Sequence, residues 1–93
     1  YFLADRDIKI VESELADSWS LVENLDEARQ RVLVDMAFNL GMPRLNKFKR
    51  MWSHIEDKNY ANASTEMLDS RWAKQVKSRA TTLSYAMEHG KFA

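Results

Sequence analysis

Carboxylates are the residues of this sequence best suited to acid–base chemistry. In a glycosidase two carboxylates flank the scissile bond, and the one that acts as general acid needs a partly desolvated pocket. Glu12, Glu23, Glu56 and Glu66 all lie in polar local sequence, which does not provide such a pocket. Asp35 differs because it interrupts a long apolar run. Its side chain must reach a helix end, an arginine or solvent, and we expect a structural ion pair.

Other catalytic chemistries find little support in the sequence. His54 and His89 are the only histidines, and a metal site needs three or four converging ligands, so we expect surface histidines and no metal. The absence of cysteine excludes disulfides and thiolate chemistry. The serines lie outside the nucleophile and phosphate-loop motifs, and two glycines are too few for a loop that cradles phosphate. We therefore expect no cofactor.

A basic run, RLNKFKR, follows the only proline. It places Arg44, Lys47, Lys49 and Arg50 around the aromatic ring of Phe48. A nucleic-acid interface has this composition, but Phe48 falls on an apolar stripe and is expected in the core. The 14 basic and 14 acidic residues also balance, which gives no support for long-range attraction to a polyanion. We favour a solvated basic face, with a phosphate or polyanion contact as the alternative.

The composition predicts an all-α fold in a single domain over residues 1–93. One proline and two glycines are too few for strands joined by tight turns, and an apolar fraction of 45% is enough for a core. No apolar run approaches the roughly 20 residues of a membrane span. The N-terminus lacks the basic and apolar regions of a signal peptide. Because the sequence does not begin with Met, we expect it to belong to a longer product.

Apolar periodicity predicts a compact bundle of five to six helices around a buried central helix. The central helix is apolar on almost every face, with Asn24 or Asp26 capping its start. Gly41 supplies the left-handed residue that ends it, and Pro43 prevents its continuation. The predicted helices run from 4 to 22, from the cap to 40, from 44 to 57, from 60 to 69, from about 70 onward, and from 77 to 89.

A series of motifs follows the central helix. That helix ends in an aromatic, an amide, an apolar residue and glycine; an S-R-W motif then precedes an R-A pair, threonines and a G-x-aromatic motif. The motifs are Phe38-Asn39-Leu40-Gly41, Ser70-Arg71-Trp72, Arg79-Ala80, Thr81-Thr82 and Gly90-Lys91-Phe92. In this order they resemble the phage lysozymes of glycoside hydrolase family 24, with the T-even type as the nearest likeness. The resemblance covers nearly the whole chain but only the C-terminal helical lobe of those enzymes.

The resemblance implies a muramidase whose catalytic residues lie outside this chain. The family's glutamate, a following acidic residue and a threonine come from an N-terminal lobe with a small β-sheet. In the family the second residue follows the glutamate by about nine positions and the threonine follows about six further on. Here Glu14 leads at that spacing to Glu23 and then to Arg29 instead of threonine, and no other glutamate reproduces the pattern. The full enzyme would cleave the β-1,4 bond between N-acetylmuramic acid and N-acetylglucosamine in peptidoglycan. We expect little or no hydrolysis by this chain alone.

Three positions match residues near the cleft of the family. Asn39 replaces an amide that lines the cleft, where it would hydrogen-bond an N-acetyl group or a neighbouring tryptophan. Trp72 would support the cleft wall or belong to the core. Arg79 matches an arginine that pairs with the catalytic glutamate from across the lobes and helps to position it. The T-even type has a proline between the S-R-W motif and the R-A pair; this chain has none, so we expect the helix to continue there.

Three functions remain open on the sequence alone. The chain is the C-terminal lobe of a phage-type lysozyme, a stand-alone module that binds peptidoglycan or a protein without enzymatic activity, or an unrelated helical domain that binds an acidic surface. Under the first, its partners are peptidoglycan and the missing N-terminal lobe, with no nucleic acid and no membrane. It would act from the host bacterial cytoplasm on the periplasmic cell wall. We also expect weak self-association, because loss of the other lobe uncovers apolar surface near Tyr1, Phe2 and the first helix.

Overall fold

The computed structural model describes residues 5–92, with side chains from Lys9 to Phe92. These residues form α1 (Asp5–Ser18), a 3-10 helix (Ser20–Asn24), α2 (Glu27–Leu40), α3 (Met42–Leu45), α4 (Lys49–Glu56), α5 (Tyr60–Leu68), α6 (Arg71–Val76) and α7 (Ser78–His89). No strand occurs between residues 5 and 92, which confirms the all-α prediction. None of the described helices is long and apolar enough to cross a membrane.

Helix α2 is the buried helix that the apolar pattern predicts. Its start is capped by Asp26, whose carboxylate accepts a hydrogen bond of 3.1 Å from the backbone N–H of Arg29. Six consecutive residues, 32–37, are buried. The helix ends where the N–H of Gly41 donates to the carbonyl of Ala37. Gly41 has the expected positive φ of 81°, but its ψ of 152° lies outside the left-handed helical region, so that part of the prediction is wrong.

Helices α2 and α7 run antiparallel and organise the core. The guanidinium of Arg29, in the first turn of α2, donates to the carbonyls of Met87 and Glu88 at the end of α7. Asp35 in α2 lines a common hollow with Arg79, near the start of α7. Helix α5 packs against α7 on another side, and α4 packs against α5. Apolar side chains from every helix join in one buried cluster.

The first predicted helix is wrong at its C-terminal end. Helix α1 stops at Ser18, and the chain continues as a 3-10 helix from Ser20. The break lies at Trp19, whose φ of −138° and ψ of 86° are not helical. The Trp19 indole stacks on Trp52 with ring centroids 4.3 Å apart and donates to Asn46 at 2.7 Å. These distant contacts outweigh the local preference for a continuous helix.

The predicted helix from 44 to 57 is two helices, α3 and α4. Pro43 ends α2 as expected and also opens α3, where a proline at the first turn needs no backbone donor. The chain then turns before α4 begins at Lys49. The carbonyl of Leu45 accepts from the N–H of Phe48 and from the indole of Trp52, both at 3.1 Å. This buried acceptor site stabilises the turn.

The expectation of a continuous helix between the S-R-W motif and the R-A pair is wrong. Helix α6 ends at Val76, and Lys77 adopts φ 48° and ψ −109° before α7 begins at Ser78. A side chain strains this conformation, which glycine adopts readily. The N–H of Lys77 closes α6 on the carbonyl of Ala73, and the Lys77 carbonyl accepts from Ala80 in α7. One residue thus ends a helix and starts the next without proline.

Candidate functional site

Arg79 lies in the first turn of α7, where it is half-buried. It lines a hollow of about 400 Å³, whose other lining residues are Asp35, Val76, Ser78, Thr82, Leu83 and Phe92. A cation and a carboxylate therefore share one depression, with apolar side chains around them. Val76 and Ser78, on either side of the helix break at Lys77, line the same hollow, so the break lies next to Arg79.

Asp35 is the buried carboxylate of the hollow. Among the acidic side chains that the structure describes, it alone falls in the buried class, with 5% of its surface exposed. Its Oδ1 lies 3.4 Å from Nε of Arg31, one helical turn earlier. The sequence expectation of an ion pair at this interruption of the apolar run is thereby confirmed. The hollow itself contains no second carboxylate.

Asn39 lies on the exposed end of α2. Its side-chain Nδ2 donates a hydrogen bond of 2.9 Å to the backbone carbonyl of Asp35. The preceding residue, Phe38, exposes 44% of its surface although residues 32–37 are all buried. Helix α2 therefore changes from buried to exposed between residues 37 and 38, and its last turn presents an aromatic ring and an amide to solvent.

Trp72 is a core residue, with 4% of its surface exposed. Trp72 follows Ser70, which lies between α5 and α6. The Ser70 hydroxyl donates to the carbonyl of Met67 at the end of α5 and accepts from the N–H of Ala73 in the first turn of α6. Trp72 lines a hollow of about 370 Å³ together with Leu40, Arg44, Lys47, Phe48, Ser70, Arg71 and Gln75. Its indole Nε1 is buried and has no hydrogen-bond partner among the described residues. The burial favours the core alternative for this residue.

The structure does not bring the three sequence-predicted residues into one hollow. Trp72 and Arg79 line separate hollows, and Asn39 lines neither of them. Helix α2 connects the three, because Leu40 lines the hollow of Trp72, Asp35 lines that of Arg79, and Asn39 hydrogen-bonds to the Asp35 carbonyl. The roles of all three at a substrate cleft stay predictions.

The sequence reasoning named two further residues of this surface without predicting their location, Asp35 and Phe92. Asp35 was recognised as an unusual carboxylate, but nothing in the local pattern indicated that it lies beside Arg79. Phe92 belongs to the G-x-aromatic motif, yet its place between two hollows depends on the chain reversal after α7. That reversal begins at Gly90, whose φ of 73° and ψ of 20° are left-handed helical. This conformation is the one expected of a glycine that directly follows a helix.

Several carboxylates meet in a different hollow, at the start of α2. Its volume is about 590 Å³, and Glu12, Asp26 and Glu27 line it with Arg31 and Lys91 among others. The three carboxylates are exposed to solvent, whereas a glycosidic general acid needs a partly desolvated pocket. Asp26 is also committed to the cap of α2 and to an ion pair of 2.8 Å with Arg29. No cluster of three potential metal ligands occurs among the described residues.

Two curated proteins are similar to this chain in sequence. A probable T4-type lysozyme 2 of Dictyostelium discoideum is 31% identical to this chain over 90 residues, which are 96% of the chain and 53% of that protein. A probable T4-type lysozyme 1 of the same organism is 28% identical over 91 residues, 95% of the chain and 54% of that protein. No family model and no solved structure matches the chain.

The alignments with the two relatives cover 96% and 95% of this chain. The motifs around Asn39, Trp72 and Arg79 belong to this similar segment. The chain spans about half the length of the curated relatives it matches. The resemblance inferred from the motifs is thereby confirmed: by sequence this chain is related to the T4-type lysozymes, over a segment about half as long as the relatives themselves.

Proposed function

We propose that this chain forms one wall of the peptidoglycan-binding cleft of a T4-type lysozyme, as its C-terminal helical lobe, while the rest of the enzyme supplies the general acid. The observation that carries the proposal is the relationship to two probable T4-type lysozymes over nearly all of this chain but about half of each relative. The all-helical fold of residues 5–92 agrees with it, because the resemblance implies that the catalytic segment accompanies a β-sheet.

The distribution of carboxylates supports placing the general acid elsewhere. Hydrolysis of a glycosidic bond needs two carboxyl groups, or a carboxyl group and a second activating residue, on either side of the bond. The hollow beside Arg79 holds one carboxylate, Asp35, which already faces Arg31. The hollow at the start of α2 holds three, Glu12, Asp26 and Glu27, but they are exposed. Neither arrangement among the described residues provides a desolvated acid opposite a second catalytic group.

In this proposal the cleft wall consists of the last turn of α2 and the first turn of α7. Arg79 approaches the carboxylate of the general acid from this wall and fixes its orientation. Asn39 and Phe38 offer an amide and an aromatic face, the two kinds of group that bind an N-acetyl sugar through a hydrogen bond and through apolar contact. The exposure of both side chains at the end of a buried helix is consistent with a surface that another segment or substrate covers.

The test is a reconstitution. The part of the probable T4-type lysozyme 2 that lies outside the aligned 90 residues is fused ahead of Tyr1, and clearing of a purified peptidoglycan suspension is followed. We expect no clearing by the isolated chain and clear hydrolysis by the fusion. An Arg79→Ala substitution in the fusion should lower the rate by at least about tenfold, because the acid then loses a charged partner worth about 1.4 kcal/mol or more.

Clearing by the isolated chain would contradict the proposal, since it would require an acid within these 93 residues. A folded fusion that binds peptidoglycan without cleaving it would favour the stand-alone binding module instead. The phage origin and the bacterial compartment that the resemblance implied stay predictions, and the relatives reported above come from Dictyostelium discoideum.

A further inference from the structure

The balanced charge of the chain conceals a separation along the sequence. Residues 1–27 contain eight acidic and two basic residues, whereas residues 28–93 contain six acidic and twelve basic residues. The neutral total therefore gives a poor description of the local potential, which depends on nearby charges because solvent and salt screen distant ones.

Five of the basic residues form one surface, which we call the basic face: Arg44, Lys47, Lys49, Arg50 and Arg71. They come from α3, the following turn, α4 and α6. All five are exposed. None of them makes an ion pair with any side chain between Lys9 and Phe92. Their charges are thus available to a partner.

The basic face surrounds two adjoining hollows. The first, of about 420 Å³, includes Lys47, Lys49 and Arg50, and also the acidic residues Glu66 and Asp69. The second, of about 370 Å³, includes Arg44, Lys47 and Arg71 and no acidic residue. Lys47, Phe48 and Ser70 line both. The cations therefore repeat along a continuous surface of two depressions instead of converging on one point.

The backbone adds donors to the first hollow. Helix α4 begins at Lys49 without a side-chain cap, so the N–H groups of its first turn have no capping acceptor. Residues 49–51 of that turn line the hollow. Such N–H groups favour the oxygens of a phosphate. Leu40 and Phe48, both half-buried, supply apolar surface between the cations.

We propose that the basic face docks a polyol phosphate polymer attached to the bacterial cell wall, a linear chain of phosphodiesters joined by short carbon units. The inference rests on the proposed function for the location at the wall. A repeating anion fits cations that repeat over two hollows, whereas a single carboxylate would occupy only one. The CH and CH2 groups of the polyol units would contact the small apolar surface of Leu40 and Phe48, while their hydroxyl groups stay in solvent.

Nucleic acid is the less suitable polyanion for this surface. Single-stranded nucleic acid binds through bases stacked on exposed aromatic rings. The exposed aromatic residues of the described chain are Phe38, Tyr85 and Phe92, and none of them lines either hollow. Phe48 packs against the core cluster. The basic face therefore offers charge and small apolar contacts but no stacking platform.

The experiment measures binding of labelled poly(glycerol phosphate) to the chain by fluorescence anisotropy over a series of salt concentrations. The triple variant Arg44→Gln, Lys47→Gln, Lys49→Gln removes three charges from the basic face. The matched control Lys9→Gln, Lys74→Gln, Lys91→Gln removes three charges outside the basic face. The two variants therefore have the same net charge as each other. We expect the first variant to weaken binding at low salt at least about tenfold and to lower the salt slope by about 2–3, and the control to change affinity less than about threefold.

Several outcomes would overturn the inference. Equal losses in the two variants would mean that net charge alone causes binding. Equal affinity for poly-γ-glutamate of the same charge number would show that phosphate is not preferred, and higher affinity for single-stranded DNA would identify another polymer. Because poly(glycerol phosphate) contains no muramic acid, this binding succeeds or fails independently of hydrolysis by the fusion. Far-UV circular dichroism of each variant verifies that it is folded.

Discussion

The two ends of the antiparallel pair α2 and α7 differ in how far their side chains are committed to contacts within the fold. At one end, which we call the tied end, the guanidinium of Arg29 joins three helices. It donates to the carbonyls of Met87 and Glu88 at 2.6 and 2.9 Å, and to Asp26 at 2.8 Å. It also lies 3.5 Å from the centre of the Tyr60 ring. Cations at a helix C-terminus satisfy carbonyls and interact favourably with the helix dipole.

At the other end, which we call the open end, the same two helices carry the candidate site residues Asn39 and Arg79. The end of α2 presents Phe38 and Asn39 to solvent, and α7 starts from the strained residue Lys77 and carries Arg79 in its first turn. The difference teaches that one end of the helix pair can supply stability while the other remains available for recognition. The predictions below ask whether stability and activity divide in this way.

The largest expected effect is at the tied end. Arg29→Ala removes four contacts of a side chain that is only 14% exposed and leaves carbonyls at the end of α7 without their donor. We expect the free energy of unfolding to fall by about 2–3 kcal/mol, measured by urea denaturation. In a domain of this size that loss lowers the Tm by roughly 10 °C or more.

Two controls sharpen the measurement at Arg29. Arg29→Lys keeps the charge but not the planar fork, so most of the loss should remain. Arg44→Ala removes an exposed arginine from the basic face and should change stability by less than about 0.5 kcal/mol. A loss in Arg29→Ala no greater than that in Arg44→Ala would show that the tied end is not the source of stability.

The next effect also lies at the tied end, at Gly90. Its φ of 73° is left-handed, and a Cβ there would lie 3.0 Å from Nη1 of Arg29. Gly90→Ala should cost about 1–2 kcal/mol, part from the backbone and part from displacing Arg29. In the Arg29→Ala background only the backbone part remains. The two substitutions should therefore cost less together than the sum of their separate costs, by about 0.5–1 kcal/mol in a double-mutant cycle.

Strict additivity at Gly90 and Arg29 would contradict the close contact between them. Gly90→Asn tests the backbone part separately, because asparagine tolerates the left-handed region better than alanine. It should cost less than Gly90→Ala when Arg29 is absent, and thermal unfolding followed by circular dichroism resolves a difference of this size.

The contrast between the ends also explains what the sequence revealed. Local signals were sufficient for the caps, because Asp26, Gly41 and Gly90 each form a hydrogen bond with a residue three or four positions away. The apolar run was sufficient for the buried body of α2. Arg29 gave no signal, because its partners at the end of α7 lie far along the chain. The tied end therefore depends on tertiary contacts, which the apolar periodicity of the sequence does not predict.

The wrong boundaries have the same origin. Helix α1 ends early because Trp19 stacks on Trp52 and bonds to Asn46, neither of which is near in sequence. Of the candidate site, the motif resemblance named Asn39, Trp72 and Arg79, but it did not predict that Asp35 would share a hollow with Arg79. The prediction of surface near Tyr1 and Phe2 lies outside the described residues.

At the open end, Lys77 permits a prediction of opposite sign. Its φ of 48° and ψ of −109° strain any side-chain-bearing residue, at a cost of about 1–3 kcal/mol. Lys77→Gly relieves the strain and increases the freedom of the unfolded chain, so we expect a net gain of about 1 kcal/mol in thermal unfolding. The control Lys74→Gly, inside α6, should lose about 1 kcal/mol because glycine weakens a helix interior. Losses in both variants would refute the strained turn.

The smallest effect on stability and the most informative one on function is at Asn39. Its side chain is exposed and its hydrogen bond goes to a carbonyl of its own helix. Alanine favours the helix slightly more than asparagine does, so Asn39→Ala should leave the free energy of unfolding within about 0.5 kcal/mol. In the fusion with the missing half it should lower kcat/KM on peptidoglycan about three- to tenfold, the value of one hydrogen bond to substrate.

Asn62→Ala is the matched control for this change, because Asn62 is also an exposed amide on a helix but lies on α5. It should affect neither stability nor activity. If Asn39→Ala and Asn62→Ala leave the fusion equally active, the open end is not a binding surface. If Asn39→Ala instead impairs hydrolysis without loss of stability, while Arg29→Ala impairs stability in the isolated chain, the two ends of α2 and α7 divide those tasks. That division follows because the tied end commits the Arg29 guanidinium to contacts within the fold, whereas the open end exposes the side chains of Phe38 and Asn39 to solvent.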